Sequence, residues 1–243
     1  MNYILIFNKN ITMIIYKKSI IGHLFKCAGT SVGHKLRQDP DNIAYFSGHD
    51  SIKVLENGNF EYAKEYTQYA LVRNPLTFYE SFYNYVNEFP KKGAYNHDSI
   101  TKFLMFKPDK TPYSLSEYIS RCMDLGETLN GELLKCIKDK FKNSQGYYTT
   151  WIPDMENFQF PNISFYQWAV QNILKDDCVT YKMETEIDDF LIAIGSSAGL
   201  PKKNVTGERH NKKKRGFTKK YASVEDKLLI QETDRILFER FGY

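Results

Sequence analysis

The stretch Ile20-Ile21-Gly22-His23-Leu24-Phe25-Lys26-Cys27-Ala28-Gly29-Thr30-Ser31-Val32 restricts the fold more than any other part of the chain. It reads as a short apolar strand, a tight loop with a lysine, a glycine and two hydroxyls, and the opening of a helix. A strand feeding such a loop into a helix N-terminus makes an anion site. Gly29 admits close backbone approach, the first helical N–H groups point at the ligand, and Lys26 adds a point charge. Thr30 and Ser31 can cap the helix and donate to phosphate oxygens. The order differs from the nucleotide loop G-x-x-x-x-G-K-[ST], because lysine here precedes glycine.

Around this stretch the chain alternates strand and helix patterns. Short β-prone runs at 4–7 and 11–16, parted by Asn8-Lys9-Asn10, predict a hairpin or an extra edge strand. Core strands are expected at 19–25, 43–46, 68–72 and 177–183, the last closed by Glu184. Helices are expected at 30–38, 76–89, 114–125, 128–141, 185–197 and 223–241, with Ser223 capping the N–H of Asp226, and 164–174 reads as a helix or a strand–helix junction. Residues 90–112 read as a long irregular insertion. Open parallel sheets bind ligands outside the carboxyl ends of their strands, so Lys26, His49 and Arg73 all emerge at one edge.

Three further groups carry candidate chemistry. Arg73 sits at a strand end and Ser81 two turns into the next helix, where a guanidinium and a hydroxyl can grip one phosphate. His49 titrates near neutrality and can take a proton from an alcohol; His23 and His34 also lie near the loop, and Glu56 and Glu61 are carboxylate alternatives. The run from Lys202 to Lys220, with Arg209 and Arg215, is nearly free of acids. By itself it is a solvated charge run or a polyanion patch. No aromatic interleaving or base-reading module accompanies it, which argues against nucleic acid.

Lys26-Cys27-Ala28-Gly29-Thr30-Ser31 resembles the P-K-x-A-G-T-S loop of sulfotransferases that use 3′-phosphoadenosine 5′-phosphosulfate (PAPS), with Phe25 at the usual proline. Arg73, Pro75, Ser81 and Tyr83 are similar to that family's R-D-P-x-x-R-x-x-S-x-Y motif; Asn74 replaces the aspartate and Phe78 the second arginine. Gly48-His49 resembles the Gly-His pair of carbohydrate-type members. Asn204-Val205-Thr206 and the ending Phe238-Glu239-Arg240-Phe241-Gly242-Tyr243 are also family-like.

The resemblance implies an α/β, P-loop-like three-layer fold with a central, mainly parallel sheet flanked by helices. It implies one domain over 1–243, with an N-terminal extension at 1–13, an insertion at 90–112 and a basic loop at 202–220. PAPS would be the co-substrate. Its 5′-phosphosulfate would lie on Lys26, Cys27, Ala28, Gly29, Thr30 and Ser31, its 3′-phosphate on Arg73 and Ser81, with Arg209 or Arg215 nearby. Lys26 and His49 would be the catalytic pair, with no metal. The acceptor would carry a free hydroxyl, on a carbohydrate by the Gly48-His49 pair.

Composition narrows the rest. A net charge of +4 does not make the whole molecule a polyanion binder, and 15% aromatic residues predict an aromatic core ahead of a wide amphipathic cleft. Cys27, Cys122, Cys136 and Cys178 have no metal or redox spacing and read as reduced thiols of a cytoplasmic protein. The start lacks a charged leader and cleavage site, Met13 is an alternative start, and no apolar run is long enough for a membrane span. Two rivals stand beside the sulfotransferase. A P-loop small-molecule kinase would want lysine directly after glycine and a strand-end aspartate for Mg²⁺. A non-catalytic nucleotide- or glycan-binding protein would keep the fold without turnover.

Overall fold

The computed structural model describes residues 13–47, 61–88, 100–141, 151–152, 154–196 and 218–243. In chain order these form β1 (Met13–Tyr16), β2 (Ser19–His23), α1 (Gly29–Leu36), β3 (Ile43–Ser47), β4 (Thr67–Val72), α2 (Pro75–Glu88), α3 (Ile100–Met105), α4 (Leu115–Met123), α5 (Leu125–Leu129), α6 (Glu132–Phe141), α7 (Phe165–Ile173), β5 (Val179–Lys182), α8 (Ile187–Ala193), α9 (Val224–Thr233) and α10 (Arg235–Phe241). The α/β expectation holds. Two compact units lie within Met1–Arg73 plus Val170–Glu208, and within Asn74–Ala169 plus Arg209–Tyr243.

The first unit is built on a mixed, mostly parallel sheet of order β3-β1-β2-β4-β5. β2, β4 and β5 pair in parallel, with His23 opposite Leu71. β1 pairs antiparallel with both β2 and β3, so four strands run one way and β1 alone runs the other. Met13–Tyr16, the described part of the run at 11–16, is therefore an interior strand and not an edge strand. It lies inside the sheet and forms its hairpin with β2 across Lys17-Lys18, while residues 4–7 lie outside the described residues. The reason is burial: Ile14, Ile15 and Tyr16 are at most 1% exposed, as a strand covered on both faces requires. Two hydrogen bonds anchor the hairpin end. Lys17 Nζ donates to the Gly195 carbonyl, and Tyr16 Oη donates to Asp39 Oδ2 at 2.6 Å.

Strand β2 stops at His23, two residues before the expected end, because the chain turns into the loop there. The amide of buried Gln68 on β4 bridges the end of α7: its Nε2 donates to Ile173 O at 2.9 Å and its Oε1 accepts from Lys175 N at 2.5 Å. Phe190 and Leu191 of α8 and Ile194 at its end are buried.

The second unit is helical, and it holds the aromatic core. Phe78 and Tyr166 stack at 3.9 Å, Phe82 and Phe165 at 5.7 Å, and Trp151 meets Trp168 edge-on at 4.8 Å. Phe78, Tyr79, Phe82 and Tyr83 are all buried, so the aromatic run of α2 packs on more than one side. Three expectations are corrected here. The insertion at 90–112 contains α3, whose Ile100, Leu104 and Met105 are buried. The helix expected at 128–141 is two helices, parted near Gly131, where φ is 81°. The final helix breaks at Asp234, a fully buried carboxylate that accepts from Tyr79 Oη at 2.7 Å, Ser164 Oγ at 2.5 Å and Gln167 Nε2 at 3.1 Å. Those three donors satisfy the buried group. The Ser223 cap forms as expected, its Oγ accepting from Asp226 N at 3.1 Å.

Candidate functional site

Strand β2, the loop 24–28 and helix α1 form the strand–loop–helix unit that the sequence predicted. The loop is tighter than its composition indicates. Lys26 and Ala28, neither a glycine, adopt the left-handed region, with φ of 59° and 58°. Each such residue costs about 1–2 kcal/mol, and strain of this kind collects at ligand-binding turns. Helix α1 begins with Ala28 as its N-cap, which offers no side-chain acceptor, so Ser31, at the third helical position, is not the N-cap residue expected. Its ladder opens with Ser31 N and Val32 N, both donating to Ala28 O at 2.9 and 3.1 Å. The N–H groups of Ala28, Gly29 and Thr30 stand ahead of that ladder, and the first turn holds no acid. Such an end favours an anion.

Gly29 is required by space rather than by φ. A Cβ there would fall 1.7 Å from His23 Nε2, because the imidazole at the end of β2 lies directly against the Gly29 backbone. Cys27 turns inward, 2% exposed, and its thiol donates to Phe25 O at 3.3 Å. Phe25 is itself buried, which puts an apolar anchor under the loop. His34 lies in the last turn of α1, at the opposite end from the loop.

Arg73 follows β4 immediately and Lys26 lies three residues beyond the end of β2, and the two strands are parallel neighbours. The structure brings these residues together: Arg73 Nη1 donates to Lys26 O at 3.0 Å. His49, Glu56, Arg209 and Arg215 lie outside the described residues.

The second unit holds the rest of the arginine motif. Asn74 Oδ1 accepts from Leu76 N at 2.9 Å and its carbonyl accepts from Thr77 N and Phe78 N, so this residue starts α2 as an aspartate would. Ser81 is half-buried on α2. Phe78 points into the aromatic core, and Tyr83 Oη donates to Tyr113 O at 2.8 Å. These two motif positions are packing positions in this chain.

Sequence reasoning missed Glu80 and Asn84, one turn apart on the same helix. Asn84 clasps both backbone groups of Lys220, donating to its carbonyl and accepting from its N–H, each at 2.7 Å. Glu80 Oε1 accepts from Ala222 N at 2.9 Å. The end of the basic run is thus pinned to the helix that carries Ser81. The readable signal was a polar pair at i and i+4 within an aromatic run. Glu184 is exposed beyond β5.

Among the described residues no three His, Cys, Asp or Glu side chains gather as a metal site, and no helix is long and apolar enough to cross a membrane. In comparisons with known proteins, no family model, curated protein or solved structure matches the chain.

Proposed function

We propose that this chain is a PAPS-dependent sulfotransferase of P-loop-like, three-layer architecture, which moves the sulfuryl group to an acceptor hydroxyl on a carbohydrate. The observation that carries the reading is the hydrogen bond from Arg73 Nη1 to Lys26 O, 3.0 Å long. It joins the two motifs at the carboxyl ends of adjacent parallel strands, the edge where such sheets bind ligands. The acid-free, uncapped start of α1 supports the same reading, as does the pinning of the basic run's end to α2.

In this reading the phosphosulfate lies on the first-turn N–H groups and Lys26, and the 3′-phosphate on Arg73 and Ser81. The acceptor oxygen attacks sulfur in line. Its proton passes to His49, and the breaking S–O bond leaves its electron pair on the phosphate oxygen of the nucleotide. Lys26 and the α1 amides meet the charge that grows there, so they act more strongly in the transition state than in the ground state.

A nucleotide-binding protein without turnover is the second reading. Burial of Phe78, where the resemblance has an arginine, favours it. Calorimetry with adenosine 3′,5′-bisphosphate and with AMP, beside a screen of acceptors with radiolabelled PAPS, tests both. Equal affinity for the two nucleotides defeats the 3′-phosphate assignment. Binding without transfer to any acceptor selects the second reading. Turnover lost on chelation and restored by Mg²⁺ selects a kinase.

A further inference from the structure

The contact between His23 and Gly29 reaches beyond packing. In a helix each Cα–Cβ bond tilts toward the N-terminus. The imidazole that fills the Cβ position of Gly29 therefore lies on the N-terminal side of α1, beside the amides ahead of the helical ladder. We propose that His23 is a second-charge residue of the anion site, which takes up a proton from solvent when an anion settles at the start of α1. This rests on the reading of that loop as the phosphosulfate site, and adds to it a pH-linked binding step.

The surroundings set the direction. His23 shares a small cavity with Ile14, Ile21, Cys27, Val32, Leu71 and Phe190, so its neighbours from β1, α1, β4 and α8 are apolar. Cys27 is the titratable group among them, and its thiol is turned to Phe25 O. Lys26, three residues on in the loop, and Arg73, two residues beyond the Leu71 that pairs with His23, are both cationic, while the carboxylates of α8, Asp188 and Asp189, are exposed. Two cations and a helix N-terminus all disfavour a third positive charge in the empty site. A bound dianion reverses that field. An imidazole changes charge between pH 5 and 8, so the switch falls in a working range.

The test uses adenosine 5′-phosphosulfate, which carries the anhydride without the 3′-phosphate. Calorimetry in two buffers of different ionisation enthalpy reads the protons bound per ligand. Wild type should take up a proton near neutral pH, and its affinity should fall about tenfold from pH 5.5 to 8, a common size for coupled sites. His23→Gln, which keeps bulk and hydrogen bonding without the charge, should bind with no uptake and a flat profile. Gly29→Ala should abolish binding, and His23→Ala added to it should restore part of it, because the clash is with the imidazole. No uptake in wild type, or equal uptake in His23→Gln, overturns the proposal. Neither result depends on the preference for adenosine 3′,5′-bisphosphate over AMP, so the two readings fail separately.

Discussion

Phe78 lies flat against Tyr166, ring centroids 3.9 Å apart and planes 4° from parallel. That stack occupies the motif position where an arginine would be expected, and it faces the core of the helical unit. Phe78→Arg should therefore not improve nucleotide binding. It should bury a charge among Tyr79, Phe82 and Phe165 and prevent stable folding, whereas Phe78→Ala should cost about 3–5 kcal/mol. Urea unfolding measures the second. A Phe78→Arg protein of wild-type stability with tighter binding would contradict the packing role.

Asp234 supplies a prediction in pH. Burial lifts its carboxyl above the ordinary aspartate range, against the opposing hydrogen bonds from Ser164, Tyr79 and Gln167. An acid lifted on folding keeps its proton in the native state where the unfolded chain has lost it. Its contribution is full below the unfolded value and declines as pH rises through the folded one. The urea midpoint of wild type should thus fall, relative to Asp234→Asn, as pH rises above the ordinary aspartate range. Asp234→Ala should cost about 3 kcal/mol or more, since three buried donors lose their acceptor.

Arg73→Ala should weaken adenosine 3′,5′-bisphosphate binding by about 1.5–3 kcal/mol, the size of a charge-assisted contact. Arg73→Lys should recover little, because an ammonium cannot hold Lys26 O and a phosphate in one planar fork. Full recovery by lysine in calorimetry would reduce the role of Arg73 to charge alone.

Asn84→Leu removes both hydrogen bonds to Lys220 and should cost about 1–3 kcal/mol in urea unfolding. If the basic run reaches the 3′-phosphate from that anchor, affinity for adenosine 3′,5′-bisphosphate should fall while affinity for AMP stays. Equal losses for both nucleotides would make the clasp purely structural.

Lys26 and His49 separate binding from chemistry. Lys26→Ala should weaken both donor binding and turnover. His49→Ala should leave nucleotide affinity nearly unchanged and lower turnover by about 10²–10⁴-fold, with loss of the limb of the pH–rate profile near neutrality. Near-normal turnover in His49→Ala would place the base elsewhere.

Local pattern alone determined the strand–loop–helix of β2 and α1, the end of β4 before Arg73, the Ser223 cap and the aromatic crowding of α2. Those features depend on neighbours a few residues apart, and periodicity and capping chemistry report such neighbours directly. Tertiary structure decided the rest. Met13–Tyr16 looked like an edge strand because its turn, Lys17-Lys18, lacks the usual glycine or asparagine, and only pairing on both sides shows it to be interior. Asp234 looked like an ordinary polar residue of a long helix, because its three donors come from 67 to 155 residues away. Gly29 read as a glycine that admits close backbone approach of a ligand; its φ is not positive, and what demands it is the imidazole of His23, brought there by the way β2 meets α1. Sequence spacing names the groups that can hold an anion, but contact across the fold decides which side chains share its charge.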